Sequence, residues 1–346
     1  MANSNTSCVS GDCVRVFLTY EPSLAGSAVF LALFAILIPI AVALGIRYRS
    51  STFGTTVATG VALEVVGYIG RLLLHSTPNN QSDFAVFLIG TILGPTCICG
   101  AMFLVVPRIV AVYGEEYRSW RPTWYSVLFG ILTAIIFVLE LAGGVLSTVR
   151  SEQSQINTGV QLLSAGLAIQ LVALLIFVFH GVFFMIALKT RSHGLDPKFA
   201  AVYNSKLFAI SVTLFVLATA ALILRTAYRT VEIAEGYGSS IAQNEVLFLV
   251  LDGLFVLLAT LLILIGFPAR ALGAAWSQSS PRRSSQRPPR PVRPPTTLAS
   301  SARTSPTYNR MSMKSHVSNP SPRKASYPRP PPMPQPRGLV DSDALW

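Results

Sequence analysis

Seven apolar stretches, at residues 24–46, 53–74, 84–107, 124–149, 159–188, 207–224 and 246–267, are each long enough to cross the hydrocarbon core of a bilayer. A spanning helix needs about 20 such residues. Lipid offers no hydrogen-bond partner to a free peptide group, so segments of this length and polarity must be helices. The sequence therefore predicts an all-α membrane protein, a seven-transmembrane-helix bundle. Composition agrees: 51% of the 346 residues are hydrophobic and only 12% charged, where soluble domains carry about 25%. The expected organisation is an N-terminus over 1–22, a seven-span domain over 23–269 and a disordered, basic, Pro-rich tail over 270–346. Residues 1–22 lack the apolar core of a cleavable signal peptide, so the first span is expected to act as an uncleaved signal-anchor.

The net charge of +12 is concentrated in the tail, where residues 277–346 hold twelve Lys or Arg against two Asp. That placement weakens the case for a nucleic-acid-binding fold. Lys and Arg also favour the linkers after spans one, three and five, namely Arg47 and Arg49, then Arg108, Arg118 and Arg121, then Lys189, Arg191, Lys198 and Lys206. Cytoplasmic loops carry such an excess, which predicts the N-terminus outside and the tail in the cytoplasm. The glycosylation sequons at Asn5 and Asn80 both fall on the predicted outer side, as do Cys8 and Cys13, where a disulfide could persist. The tail contains Pro-rich runs such as 287–295 and 328–336. It reads either as a solvated segment near anionic lipid or as a ligand for a proline-recognising cytoplasmic partner.

Ionisable side chains inside the spans carry the functional signal. Each costs about 2.5–3.5 kcal/mol at the centre of a bilayer, so each needs a partner or a task. Glu64, Tyr68 and Arg71 recur at i, i+4 and i+7 and share one helix face. Glu140 precedes Gly143 and Gly144, which permit close helix approach. Gln161 and Gln170 lie in span five; Arg225, Arg229 and Glu232 repeat the i, i+4, i+7 spacing at the end of span six; Glu245 and Asp252 open span seven. Together they predict an acid-rich recess reached from the outer side, suited to a cationic or zwitterionic guest. Each pair also has a purely structural reading, as a lock between helices. Pro95 is expected to kink span three and to serve as a hinge or packing feature. The sequence holds no phosphate-binding GxxxxGK[ST] loop and no HExxH, GxSxG or paired CxxC motif, and its four histidines match no zinc spacing. No enzyme activity, cofactor or metal is expected.

Residues 20–268 resemble the fungal RTA-like, or lipid-translocating exporter, family. The resemblance lies in Tyr20-Glu-Pro-Ser-Leu24, in Glu64-x-x-Gly67-Tyr68-x-x-Arg71, in Gly159, Gly166 and Gln170, and in Arg225-x-x-Tyr228-Arg229-x-x-Glu232-x-x-x-Gly236-x-Gly238, followed by Glu245 and Asp252. Thr133, Glu140, Phe103, Leu249 and Phe267 depart from the residues that pattern usually has. The resemblance implies a seven-helix protein of the plasma membrane, with internal membranes as the other location. It implies a lipid or amphiphilic small molecule as substrate, exported or translocated as are sphingoid long-chain bases and toxic amphiphiles. On this reading Glu64, Tyr68, Arg71, Glu140, Gln170, Arg225, Arg229, Glu232, Glu245 and Asp252 form the substrate site. The alternative is a seven-helix receptor or stress sensor that binds an amphiphile and signals through the tail.

Overall fold

The structure is a computed structural model and describes residues 6–9, 12–15, 18, 20–77, 80–113, 122–149, 152–190, 200–273 and 275–278. Two short antiparallel strands, β1 (Thr6–Val9) and β2 (Asp12–Arg15), precede the helices, with Cys8 opposite Cys13 in register. The helices follow as α1 (Leu24–Arg47), α2 (Ser51–Ser76), α3 (Gln81–Phe103), α4 (Val106–Tyr113), α5 (Pro122–Val149), α6 (Gln153–Thr190), α7 (Ala200–Tyr203) and α8 (Lys206–Glu235). The seventh span is compound: α9 (Glu245–Leu247), a π-helical stretch Phe248–Leu254, then α10 (Phe255–Ile265) and α11 (Pro268–Leu272), with α12 (Ala275–Gln278) after it. Seven of these segments are long and apolar enough to span a membrane. The chain is a multi-pass membrane protein.

Its outside is apolar. Ile36, Val138, Phe179 and Ile265 are each more than half exposed, as expected of side chains that meet acyl tails rather than water. Burial is greatest along α3, which packs against both α2 and α5 and forms the axis of the bundle. Glycine sets the spacing of the α2–α3 seam: a Cβ on Gly90 would meet the Gly67 backbone nitrogen at 2.5 Å, and one on Gly60 would meet the Gly94 carbonyl oxygen at 2.7 Å. The α5–α6 seam is built in the same way, with Gly143 against the Leu163 nitrogen at 2.5 Å. With lipid as solvent there is little hydrophobic drive to associate, and such backbone-to-backbone contact supplies the packing energy instead.

Local chemistry fixes the helix ends. Asn80 caps α3, its side chain accepting from the Ser82 N–H at 3.0 Å, and Asn244 caps α9 by accepting from the Leu247 N–H at 3.2 Å. The sixth span differs from the sequence expectation. It runs to Glu235, eleven residues past 224, and ends at Gly236, whose φ of 87° suits only glycine. Hydropathy falls at Arg225, but the charged side chains there turn inward and the helix continues. Asn5 and the tail from residue 279 lie outside the described residues.

Candidate functional site

Three arginines are buried at one end of the bundle, the end that also holds the approach to α1 and the loop between α8 and α9. Arg71, Arg225 and Arg229 are 0–1% exposed. Each has its own carboxylate. The Arg71 NH2 group donates to Glu245 Oε1 at 2.9 Å, Arg225 Nε to Asp252 Oδ1 at 2.7 Å, and Arg229 NH1 to Glu232 Oε2 at 2.7 Å. Asp252 also lies 3.4 Å from Arg229 Nε, so one carboxylate joins both arginines of α8 to the seventh span. Asp252 sits within the π-helical stretch, whose wider turns are common at functional positions.

The third helix supplies acceptors that carry no charge. Arg229 NH2 donates to the Thr91 hydroxyl at 2.8 Å, and that hydroxyl donates to the Phe87 carbonyl at 2.9 Å. Arg225 NH2 donates to the Thr91 carbonyl. Pro95 makes this carbonyl available: proline has no N–H, so the carbonyl four residues earlier in the helix loses its usual partner. α3 continues through Pro95, and the proline's visible contribution is a freed acceptor deep in the membrane domain.

Aromatic rings cover the remaining faces. The Arg71 guanidinium lies 4.4 Å from the Phe248 ring centre and that of Arg229 lies 5.4 Å from it, each a favourable cation–π placement. Tyr20 accepts from Arg71 at 3.3 Å. Burial holds the Tyr20 phenol above its ordinary titration range, so it stays neutral. Tyr68 stacks against both Phe30 and Phe34, which also stack on each other.

The two mid-span glutamates occupy different places. Glu64 is fully buried on α2 against Gly94, and neither of its oxygens has a hydrogen-bond donor among the described residues. The Tyr68 hydroxyl, one turn along, is likewise unpartnered. Glu140 accepts from Thr96 at 2.6 Å, and its stem fits beside Gly166. Gly94 and Thr96 are two positions apart, on different faces of α3. The axis helix therefore stands between Glu64 and Glu140, and the single shared hollow expected from the sequence is not what the chain forms. Gln170 is buried beside Cys99, its amide 3.4 Å from the sulfur, while Gln161 and Glu235 are exposed. The cleft at the arginines is small, about 20 Å³ between Leu18, Tyr20, Arg71, Arg229, Tyr237 and Phe248. That is room for one water. Among the described residues no three His, Cys, Asp or Glu side chains meet as a metal site would require.

Sequence reasoning found the ionic residues and missed Thr91, Thr96 and Phe248. Thr91 had a signal: it lies four residues before a proline, on a helix whose neighbours carry arginine.

The profile of the family described as "RTA1 like protein" matches residues 57–275, which contain every one of these ion-pairing residues. The chain belongs to the RTA1-like family. Curated relatives of this RTA1-like protein in Saccharomyces cerevisiae include a sphingoid long-chain base transporter, 26% identical over 62% of this chain and 63% of the relative. Another is a protoporphyrin uptake protein, 25% identical over 60% of this chain and 66% of the relative. A third is named Protein RTM1, 26% identical over 65% of this chain and 72% of the relative. The match thus spans less than two thirds of the sphingoid-base transporter's length. No solved structure matches the RTA1-like chain.

Proposed function

We propose that this protein translocates an amphiphile with a cationic head group, a sphingoid long-chain base or a toxic amphiphile of similar shape, across the plasma membrane. The observation that carries the reading is the closed ionic cluster inside the bundle, formed by side chains of four segments. Helix locking alone needs fewer buried charges, and removing charged groups from water is costly. The names of two relatives, a sphingoid long-chain base transporter and a protoporphyrin uptake protein, both describe movement of an amphiphile.

In this proposal the N-terminus faces outward and the tail faces the cytoplasm. Glu64, Tyr68 and Asp252 meet the guest, and Glu140, on the far side of α3, does not. Arg71, Arg225, Arg229, Glu232 and Glu245 organise the mouth, and Gln170 lies deeper along the path. A cleft with room for one water holds no head group, so entry requires Tyr20 and the loop carrying Tyr237 to part from the arginines. The hydrocarbon chain stays in lipid while the head group crosses.

The test is a flip assay with the full chain in phosphatidylcholine vesicles and a fluorescent sphingoid base. Accelerated transfer relative to protein-free vesicles is expected, with at least a tenfold loss in Asp252→Asn protein that still folds. Equal rates with and without folded protein would reject the proposal.

A further inference from the structure

The cluster balances electrically without Glu64. Arg71 is matched by Glu245, Arg225 by Asp252 and Arg229 by Glu232, each within 2.9 Å. Glu64 is a fourth carboxyl, mid-span on α2 two turns before Arg71, and 0% exposed. The charged groups near enough to act on it are Asp252 from the seventh span and Arg225 and Arg229 from α8, and Tyr68 lies one turn along its own helix. α3 presents Gly94, which has no side chain to donate a hydrogen bond. None of these neighbours is hydrogen-bonded to Glu64. An ionised carboxylate buried without a donor is far more costly than a neutral acid, and Arg225 and Arg229 are each already committed to another carboxylate.

We propose that Glu64 is a proton-binding site: it is held as the neutral acid in this closed form and surrenders its proton when a cation takes the space beside it. The second step rests on the translocation reading above; the first does not. In the exchange the Glu64 O–H bond breaks, its proton passes to water, and the carboxylate pairs with the incoming ammonium. One proton leaves for each cation admitted, and nothing is oxidised or reduced. The site then has the same net charge before and after the guest arrives. Substrate entry is thereby coupled to proton release without nucleotide hydrolysis.

Infrared spectroscopy of the full chain in phosphatidylcholine vesicles at neutral pH decides the first step. The wild-type minus Glu64→Gln difference spectrum is expected to show the carbonyl stretch of a protonated carboxylic acid, sensitive to deuterium exchange. Glu64→Asp should retain such a band at a shifted frequency. A difference showing only carboxylate bands overturns the proposal. So does a Glu64→Gln protein that fails to fold, because the amide is isosteric with the neutral acid. For the second step sphingosine is the probe. Its binding should abolish the acid band and release one proton per molecule bound, measured with a pH dye in weak buffer. Binding with the band unchanged overturns the exchange. If sphingosine does not bind at all, the translocation reading fails, and the infrared band still decides whether Glu64 is a neutral acid.

Discussion

The two ends of the bundle are held by different chemistry. At one, three buried arginines pair with three carboxylates and with the Thr91 hydroxyl and carbonyl of the axis helix. At the other, Phe53 meets Phe267 edge-on at 5.3 Å and Trp276 at 6.3 Å, Tyr48 leans on Phe267, and the Arg108 guanidinium lies 3.8 Å from the Trp276 ring centre. Charge demands specific partners, and its loss leaves an uncompensated ion in a medium that cannot solvate it. Ring packing is less directional, and its contributions are graded. The ionic end therefore has few tolerated arrangements and a high cost between them, whereas the aromatic end tolerates graded change.

The comparison can be broken at Asp252. Replacing it with Ala deprives Arg225 and Arg229 of their shared carboxylate and should destabilise the folded protein by about 3–5 kcal/mol, seen as a large drop in detergent melting temperature or as failure to accumulate. A loss no greater than that from an aromatic-end substitution would mean the two ends do not differ as argued. Glu245 sharpens the point because it is partly exposed. Glu245→Gln should cost about 1–2 kcal/mol, since Arg71 keeps Tyr20 and the Phe248 ring. At the aromatic end Arg108→Ala should cost about 0.5–2 kcal/mol, the worth of one cation–π contact, and should leave sphingoid-base transfer unchanged in the flip assay. Smallest is Pro95→Ala. The restored N–H competes with Arg225 for the Thr91 carbonyl while the helix gains a residue of better propensity. The net shift in melting should correspond to less than about 1 kcal/mol, and faster amide exchange around Arg225 is the more sensitive readout.

Much of this architecture was legible before coordinates. Apolar length located seven spans, and the i, i+4, i+7 spacing placed Glu64, Tyr68 and Arg71 on a single face that proves to be fully buried. The end of the sixth span was not legible, because hydropathy treats Arg225 and Arg229 as a water-facing boundary and cannot register that they point inward to Asp252. Nor could spacing within separate helices reveal that α3 stands between Glu64 and Glu140, since that depends on which helices are neighbours. Thr91 escaped because its part is taken by a backbone carbonyl and a hydroxyl, and neither changes the charge pattern of the sequence.

The glycine seam has a mechanical consequence. Where Gly60, Gly67 and Gly90 bring two backbones into contact, α2 and α3 cannot slide or separate without losing contacts along their whole length, so they behave as one plank. Any widening large enough for a head group must follow a fracture plane beside that plank. On the side of α8 and the seventh span, the bonds crossing it include Arg225 and Arg229 to Thr91 on one flank and Arg71 to Glu245 on the other.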